Sequence, residues 1–283
     1  HATIRRQRQM CIRDRVDEDS FHEYGAFQVA ARQFRSSMEE LIDRTPADGL
    51  IAGLARVNGD KFDDEHARAM VMSYDYTVLA GTQGFNNHHK KDRMFELTGD
   101  MRLPLVIFAE GGGGRPGDTD KIFSADLHIP AFKLFGRLSG LVPMIGITTG
   151  RCFAGNAVLL GCCDVVIATK DSNIGMGGPA MIEGGGLGVY RPEEVGPMSV
   201  QKASGVVDIA VEDEEEAVAV AKKYLSYFQG PVDDWEAADQ RWLRRSIPEN
   251  RLRVYDIREV IDTIADTDSC LLYTSDAADE WLR

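Results

Sequence analysis

Short runs of consecutive apolar residues alternate along the chain with stretches whose apolar positions recur every three or four residues. LPLVIFAE (103–110), VPMIGITTG (142–150) and DVVIATKDSNIGM (164–176) are apolar runs of strand length, each ending in small residues. Between and around them, NNHHKKDRMFELTGDM (86–101), FSADLHIPAFKLFGRLSGL (123–141), FAGNAVLLGC (153–162) and VEDEEEAVAVAKKYLSYF (211–228) have helical spacing, with Pro130 near a break. The acidic run Glu212 to Glu216 is expected to be a solvated helix start, favoured there by the helix dipole. Upstream, residues 16–60 predict a short entry, a helix and a strand pair, and Asn58-Gly59 is a hairpin signal. AMVMSYDYTVLAG (69–81) is rich in strand formers. Residues 230–253, richer in Pro, Trp and charge, read as a linker, and YDIREVIDTIADTDS (255–269) begins another helix. Strands alternating with helices predict an α/β fold, with helices packed on a sheet of buried strands.

Composition narrows the function classes. A chain of 283 residues with 43% hydrophobic and 27% charged residues can bury a sizeable core. The net charge of -13 argues against binding a phosphate backbone, so no nucleic-acid partner is expected. A coenzyme A ligand would need only a local basic patch. No apolar run approaches the length of about 18 residues that a membrane span needs, and no signal-peptide pattern opens the chain. No membrane association is expected. The five cysteines form no CxxC pair, which argues against a zinc ribbon, and no metal is expected. Cys162 and Cys163, inside AVLLGCCDVVIA, are expected to be buried, reduced core thiols, with a cytoplasmic location as the default.

The ends break the pattern. Cys270 to Asp279 can be back-translated into DNA whose reverse complement, in another frame, spells Arg5 to Asp14. That DNA resembles a transposon-end adapter used in sequencing libraries. Residues 1–15 and 270–283 are therefore expected to be translated adapter, set aside as a fusion scar would be. The parent gene is expected to run on in both directions.

Three glycine-rich stretches are candidates for chemistry. Glu110-Gly111-Gly112-Gly113-Gly114-Arg115-Pro116 follows a buried strand, where glycines would let backbone N–H groups approach a ligand. It lacks GxxxxGK[ST], and Pro116 with the following Asp-Thr-Asp does not suit a dinucleotide helix. A flexible surface turn is the plain alternative. Gly150 to Asn156 again joins a strand end to a helix start, where backbone N–H groups could face an anion or an enolate oxygen. Close helix–sheet packing is the alternative there. Gly175 to Pro179 and Glu183 to Gly186 suggest loops lining a cleft, though each glycine could be purely structural. No Ser/His/Asp triad can be assembled, since none of the six histidines lies near a nucleophile elbow. The basic cluster of His88, His89, Lys90, Lys91 and Arg93 is either a solvated helix face or a contact for coenzyme A phosphates.

YDYTVLAGTQG (74–84), EGGGGRPG (110–117), GRCFAGNAVLLGCCD (150–164), GGPAMIEGGGLGVYRPEEVGP (177–197) and SGVVDIAVEDEEEAVAVAKKYLSYF (204–228) follow one another at suitable spacing. Together they resemble the carboxyltransferase (beta) subunit of biotin-dependent acyl-CoA carboxylases, of the acetyl-, propionyl- and methylcrotonyl-CoA type. The likeness covers residues 16–269, with 16–248 as the N-terminal carboxyltransferase domain and 249–269 as a linker and the start of a second domain. It implies a crotonase-like (ClpP/crotonase) fold of stacked ββα units. It implies carboxyl transfer from carboxybiotin to the α-carbon of an acyl-CoA, with backbone oxyanion holes and no side-chain base.

On that resemblance the donor groups are Ala154, Gly155, Gly113 and Gly114, Ala154 standing where the family has glycine. Coenzyme A contacts fall on Lys90, Lys91, Arg93, Arg115, Gly112, Gly177 and Gly178. Biotin would arrive on a separate carrier protein or domain, charged by a biotin carboxylase. The subunit would be a homo-oligomer whose active sites pair the first half of one copy with the second half of another. A decarboxylase relative running the transfer backwards, a crotonase-type hydratase or isomerase using Glu110 or Glu183, and a non-enzymatic scaffold half remain as alternatives.

Overall fold

The computed structural model describes residue 12 and residues 15–118, 120, 129–232 and 235–271. Among the described residues, nine strands form two sheets. The larger contains β1 (His22–Tyr24), β2 (Leu50–Arg56), β3 (Arg68–Tyr74), β4 (Leu105–Phe108), β5 (Met144–Thr148), β7 (Val165–Thr169) and β9 (Ile209–Val211), in that spatial order. β1–β2–β3 pair antiparallel, and every later pairing is parallel. The smaller sheet is a parallel pair, β6 (Arg151–Phe153) with β8 (Asn173–Gly175). Each short strand follows directly on a strand of the main sheet, β6 after β5 and β8 after β7, so the chain turns a corner twice in the same way.

Both faces of the main sheet are buried, as a parallel sheet requires. Period two divides β4 between them: Leu105 and Ile107 face one core, Val106 and Phe108 the other. The first core is covered by α2 (Phe85–Met101), α3 (Pro130–Gly136) and α4 (Gly155–Gly161). The rings of Phe95 and Phe135 meet there at 4.8 Å. The second core lies under α7 (Glu214–Ser226), which contributes Ala217, Val220, Ala221 and Leu225. The remaining helices are short: α1 (Met38–Arg44), α5 (Pro179–Gly184), α6 (Met198–Gln201), α8 (Leu243–Ser246) and α9 (Ile257–Ile264). No helix is long and apolar enough to cross a membrane among the described residues.

Several expectations are corrected. Asn58-Gly59 does not close a two-residue hairpin; β2 and β3 are joined by residues 57–67, and Asn58 at φ 62 instead starts a longer connection. Its side chain donates to Lys222 O at 2.9 Å and to Gln229 Oε1 at 2.7 Å, pinning that connection to the end of α7. Residues 164–176 are not one strand but β7 and β8 in different sheets, broken at a turn around Asp171. Cys162 is exposed, past the end of α4, while Cys163 is half-buried and packs against the core that Leu159 and Leu160 enter. The stretch read as a linker, 230–253, contains α8. The acidic run does start α7, with Asp213 as its cap accepting from the Glu216 N–H at 3.0 Å.

Candidate functional site

β4, β5 and β7 run parallel, so their C-terminal ends share one edge of the sheet, the usual location of ligand sites in such folds. The glycine stretch 110–115 leaves β4 at that edge, and β6 and α4 begin beside it. The two segments are stitched together. The Gly111 N–H donates to Arg151 O at 2.8 Å and the Phe153 N–H to Gly111 O at 2.9 Å. On its other side the glycine stretch pairs with Gln83, whose N–H donates to Gly113 O at 2.7 Å while the Arg115 N–H donates to Gln83 O at 2.9 Å. Glycine is required here by space as well as by conformation. A methyl group on Gly113, at φ 85, would lie 2.5 Å from Ala154 Cβ, and one on Gly111 would lie 2.1 Å from Gly81 O.

Ala154 turns the chain from β6 into α4 at φ 51 and ψ -122, a conformation that L-residues rarely hold. It is the position where the family resemblance expected glycine.

The four expected donors separate into two kinds. The Ala154 N–H is used by Gly175 O at 3.0 Å, and the Gly113 N–H by Asn156 Oδ1 at 3.2 Å. Both N–H groups are thus engaged within the protein. Among the described residues, no acceptor takes the N–H of Gly114, which is exposed, or of Gly155, which opens α4 and lacks an intrahelical partner by position. No heavy atom lies within 4 Å of where a Gly114 Cβ would stand, while Phe132 and Gln83 flank Gly155. The arrangement therefore offers one backbone donor at an open position, Gly114, and a second, Gly155, bordered by Phe132 and Gln83.

Behind the loops lies a polar core that sequence reasoning missed. Asn156 is buried; its Oδ1 accepts from Gly113 N–H and from Gln83 Nε2 at 2.9 Å, and its Nδ2 donates to Glu110 O at 2.6 Å. Gln83 Oε1 accepts from the Lys91 ammonium. Burial pushes Lys91 down to about 7, against the opposing pull of Asp92. Burial also lowers Lys90 to about 8, its amine donating to Leu50 O and Gly25 O. His88 falls to about 3, mainly through burial and then through the charge of Lys91.

Lys90 and Lys91 are thus neither a solvated face nor open to a phosphate. They sit with Asn87, Met94, Phe95 and Thr98 on the buried stripe of α2. That stripe has i, i+3, i+4, i+7, i+8, i+11 spacing, a signal that was present in the sequence. Arg93 is exposed and pairs with Glu96 at 3.2 Å. Arg115 is also unavailable: its side chain is buried against Asp48, and it donates to Thr82 O at 2.7 Å. Asp48 carries a carboxyl raised by burial, which the Arg115 charge partly offsets. Gly112 donates to Ala80 O at 3.0 Å. Gly177 is half-buried, and Gly178, packed on the Phe153 ring, caps α5. Glu110 is held by the Thr149 N–H at 2.9 Å and by the Thr149 hydroxyl, so it is not presented as a free base, and Glu183 is exposed on α5. No cluster of metal-ligating side chains occurs among the described residues.

Parallel strand ends, two abutting glycine loops and the free N–H groups of Gly114 and Gly155 thus meet at one place. The carboxyl transferase domain model matches residues 6–281, and the chain belongs to that family. The match runs into both end segments that the sequence set aside. The fold is accordingly the crotonase-like one expected. A single-chain, multi-domain long-chain acyl-CoA carboxylase of known structure is 56% identical, with a TM-score of 0.85 over 94% of this chain and 27% of that one. The methylmalonyl-CoA carboxyltransferase 12S subunit of Propionibacterium freudenreichii subsp. shermanii is 29% identical over 89% of this chain and 47% of its own length. The Bacillus subtilis (strain 168) protein called uncharacterized carboxylase YngE is 29% identical over 82% of this chain and 46% of its own length. The chain spans about half the length of these curated relatives.

Proposed function

We propose that this chain is part of a carboxyltransferase subunit that moves a carboxyl group from carboxybiotin to the α-carbon of an acyl-CoA. The observation that carries the reading is the pair of unpaired N–H groups, Gly114 and Gly155, on loops fixed at the parallel strand ends. Carboxyl transfer at an α-carbon needs the thioester oxygen to take on enolate charge. A preorganised donor aimed at such an oxygen has been worth about 2.7–4 kcal/mol where a side-chain donor was removed. Gly155 is assigned to that oxygen. Gly114, with open space beside it, is assigned to the ureido oxygen. When bound, carboxybiotin supplies the carboxyl group and a ring nitrogen able to accept the α-proton. No side-chain base is then needed, consistent with Glu110 being engaged by Thr149.

Neither buried lysine nor Arg115 is retained as a coenzyme A contact. The half-exposed Phe132 beside Gly155, and the long-chain acyl-CoA carboxylase at 56% identity, support an acyl chain longer than propionyl. Biotin on a separate carrier, a biotin carboxylase partner, homo-oligomer assembly and a cytoplasmic location complete the proposal.

The test uses a full-length subunit, carboxylated biotin carrier and a panel from acetyl-CoA to long-chain acyl-CoA, followed by incorporation of labelled carboxyl. Label is expected in acyl-CoA, and most efficiently in the long-chain members. Hydration or isomerisation of an enoyl-CoA without label transfer would overturn the reaction while leaving the fold intact.

A further inference from the structure

We infer that Lys91 is a positioning residue for the glycine loops: through Gln83 and Asn156 it sets the direction of a hydrogen-bond chain that ends on the Gly113 N–H. The consequence for carboxyl transfer rests on the function proposed above; the chain itself does not.

The direction follows from which groups can donate and which can accept. In its protonated form Lys91 can only donate. Lys91, fully buried on the core stripe of α2, donates to Gln83 Oε1. Gln83 must therefore turn its NH2 the other way, where Nε2 donates to Asn156 Oδ1 at 2.9 Å. Asn156 is then fixed too. Its Oδ1 faces Gln83 and the Gly113 N–H, and its Nδ2 faces Glu110 O at 2.6 Å and Gly81 O at 3.4 Å. Each link determines the next, so one charge selects one of two amide orientations at two residues. If Gln83 turned over, its Oε1 would oppose Asn156 Oδ1. If Asn156 turned with it, Oδ1 would point at two carbonyls and Gly113 would lose its acceptor.

The sites touched explain what this orientation does. Asn156 lies one residue after Gly155, and Gly113 one before Gly114. Gln83 also holds both sides of Gly114 through its backbone, accepting from Arg115 and donating to Gly113. The network therefore clamps the two loops to each other while leaving the two donors that flank it unused. A buried lysine is an expensive way to fill a helix–sheet interface; an apolar side chain of similar volume often packs there with equal or better stability. Retaining the charge makes sense where the sense of a polar chain has to be unique.

Amide hydrogen exchange on the chain labelled with [15N]glycine tests this. In Lys91→Met the Gly113 amide is expected to exchange roughly tenfold faster, the effect of losing one ordinary hydrogen bond, while the melting temperature does not fall. Gln83→Glu keeps a partner for Lys91 but removes the donor to Asn156, and is expected to speed Gly113 exchange likewise. It is the informative variant should Lys91→Met fail to fold. Unchanged Gly113 exchange in either folded variant overturns the inference. In the full-length subunit, both variants are expected to lower kcat with little change in KM for acyl-CoA. If the unsubstituted subunit transfers no carboxyl while Gly113 exchange still responds, the reaction assignment falls and the positioning role stands.

Discussion

At the scale of single residues, Ala154 is where the chain departs from the glycine its family resemblance predicts, and the departure has a measurable cost. Its φ of 51 with ψ -122 is a conformation that glycine holds freely. Such a residue costs of order 1–3 kcal/mol, while glycine costs roughly 0.5–1 kcal/mol more in lost chain entropy. Ala154→Gly is therefore expected to stabilise the chain by about 1 kcal/mol, read as a rise in thermal midpoint. A fall of that size would show that the Ala154 methyl group contributes packing that outweighs the backbone strain. The same residue shows how much of the site was legible. Glycines at 111 and 113 announced a backbone approach, and the structure places them against Gly81 and Ala154. Which N–H groups stay free was not legible, because that depends on Gly175 O and Asn156 Oδ1, brought in from other segments. Lys90 and Lys91 misled for a different reason. Their charge points to solvent, whereas their spacing places both on the same buried helical stripe as Met94 and Phe95.

At the scale of elements, apolar periodicity located β4, β5, β7, α2, α4 and α7, since each buries one face or both. It could not separate β7 from β8, where the apolar character continues across the turn although the strand changes sheet. Pairing is a long-range property that a local pattern does not contain. α7 shows a local signal that did carry through. Its cap, Asp213, accepts from the Glu216 N–H at 3.0 Å, and Glu216 Oε2 in return accepts from the Glu212 N–H at 2.7 Å. The cap satisfies one N–H group that the first turn would leave unpaired, and Glu216 ties the helix back to the residue before its cap. Since α7 alone supplies the helical cover over the second core among the described helices, loosening its start should be felt by the whole sheet. Asp213→Ala is expected to cost about 1 kcal/mol in a denaturant titration, with an unchanged m-value. No loss would mean that the tertiary packing of Ala217 and Val220 already fixes the helix start.

At the scale of the whole molecule, the sheet is finished but the surface around the site is not. Both faces of β4 and β5 are covered, so the scaffold that holds Gly114 and Gly155 needs nothing further. Apolar side chains are nevertheless presented to solvent in several regions, and two lie in the second half of the chain. One follows β8, with Met181, Leu187 and Val189; the other includes α8 and α9, with Leu252 and Val254 more than 90% exposed. Patches of this kind mark interaction surfaces more often than free surface. The family resemblance gives them a role, because it implies a site shared between the first half of one copy and the second half of another. The two donors, Gly155 for the thioester oxygen and Gly114 for the ureido oxygen, then hold charge only when a second wall excludes water and raises the strength of each hydrogen bond. This chain on its own is therefore expected to transfer no carboxyl group to any acyl-CoA, while the full-length subunit does so under the same conditions. It is also expected to self-associate with rising concentration in sedimentation velocity. Leu252→Lys with Val254→Lys should weaken that association without lowering the thermal midpoint, because neither side chain is buried. Turnover by the chain alone would show that the two loops and their polar clamp suffice, and that the exposed apolar surface serves something other than completing the site.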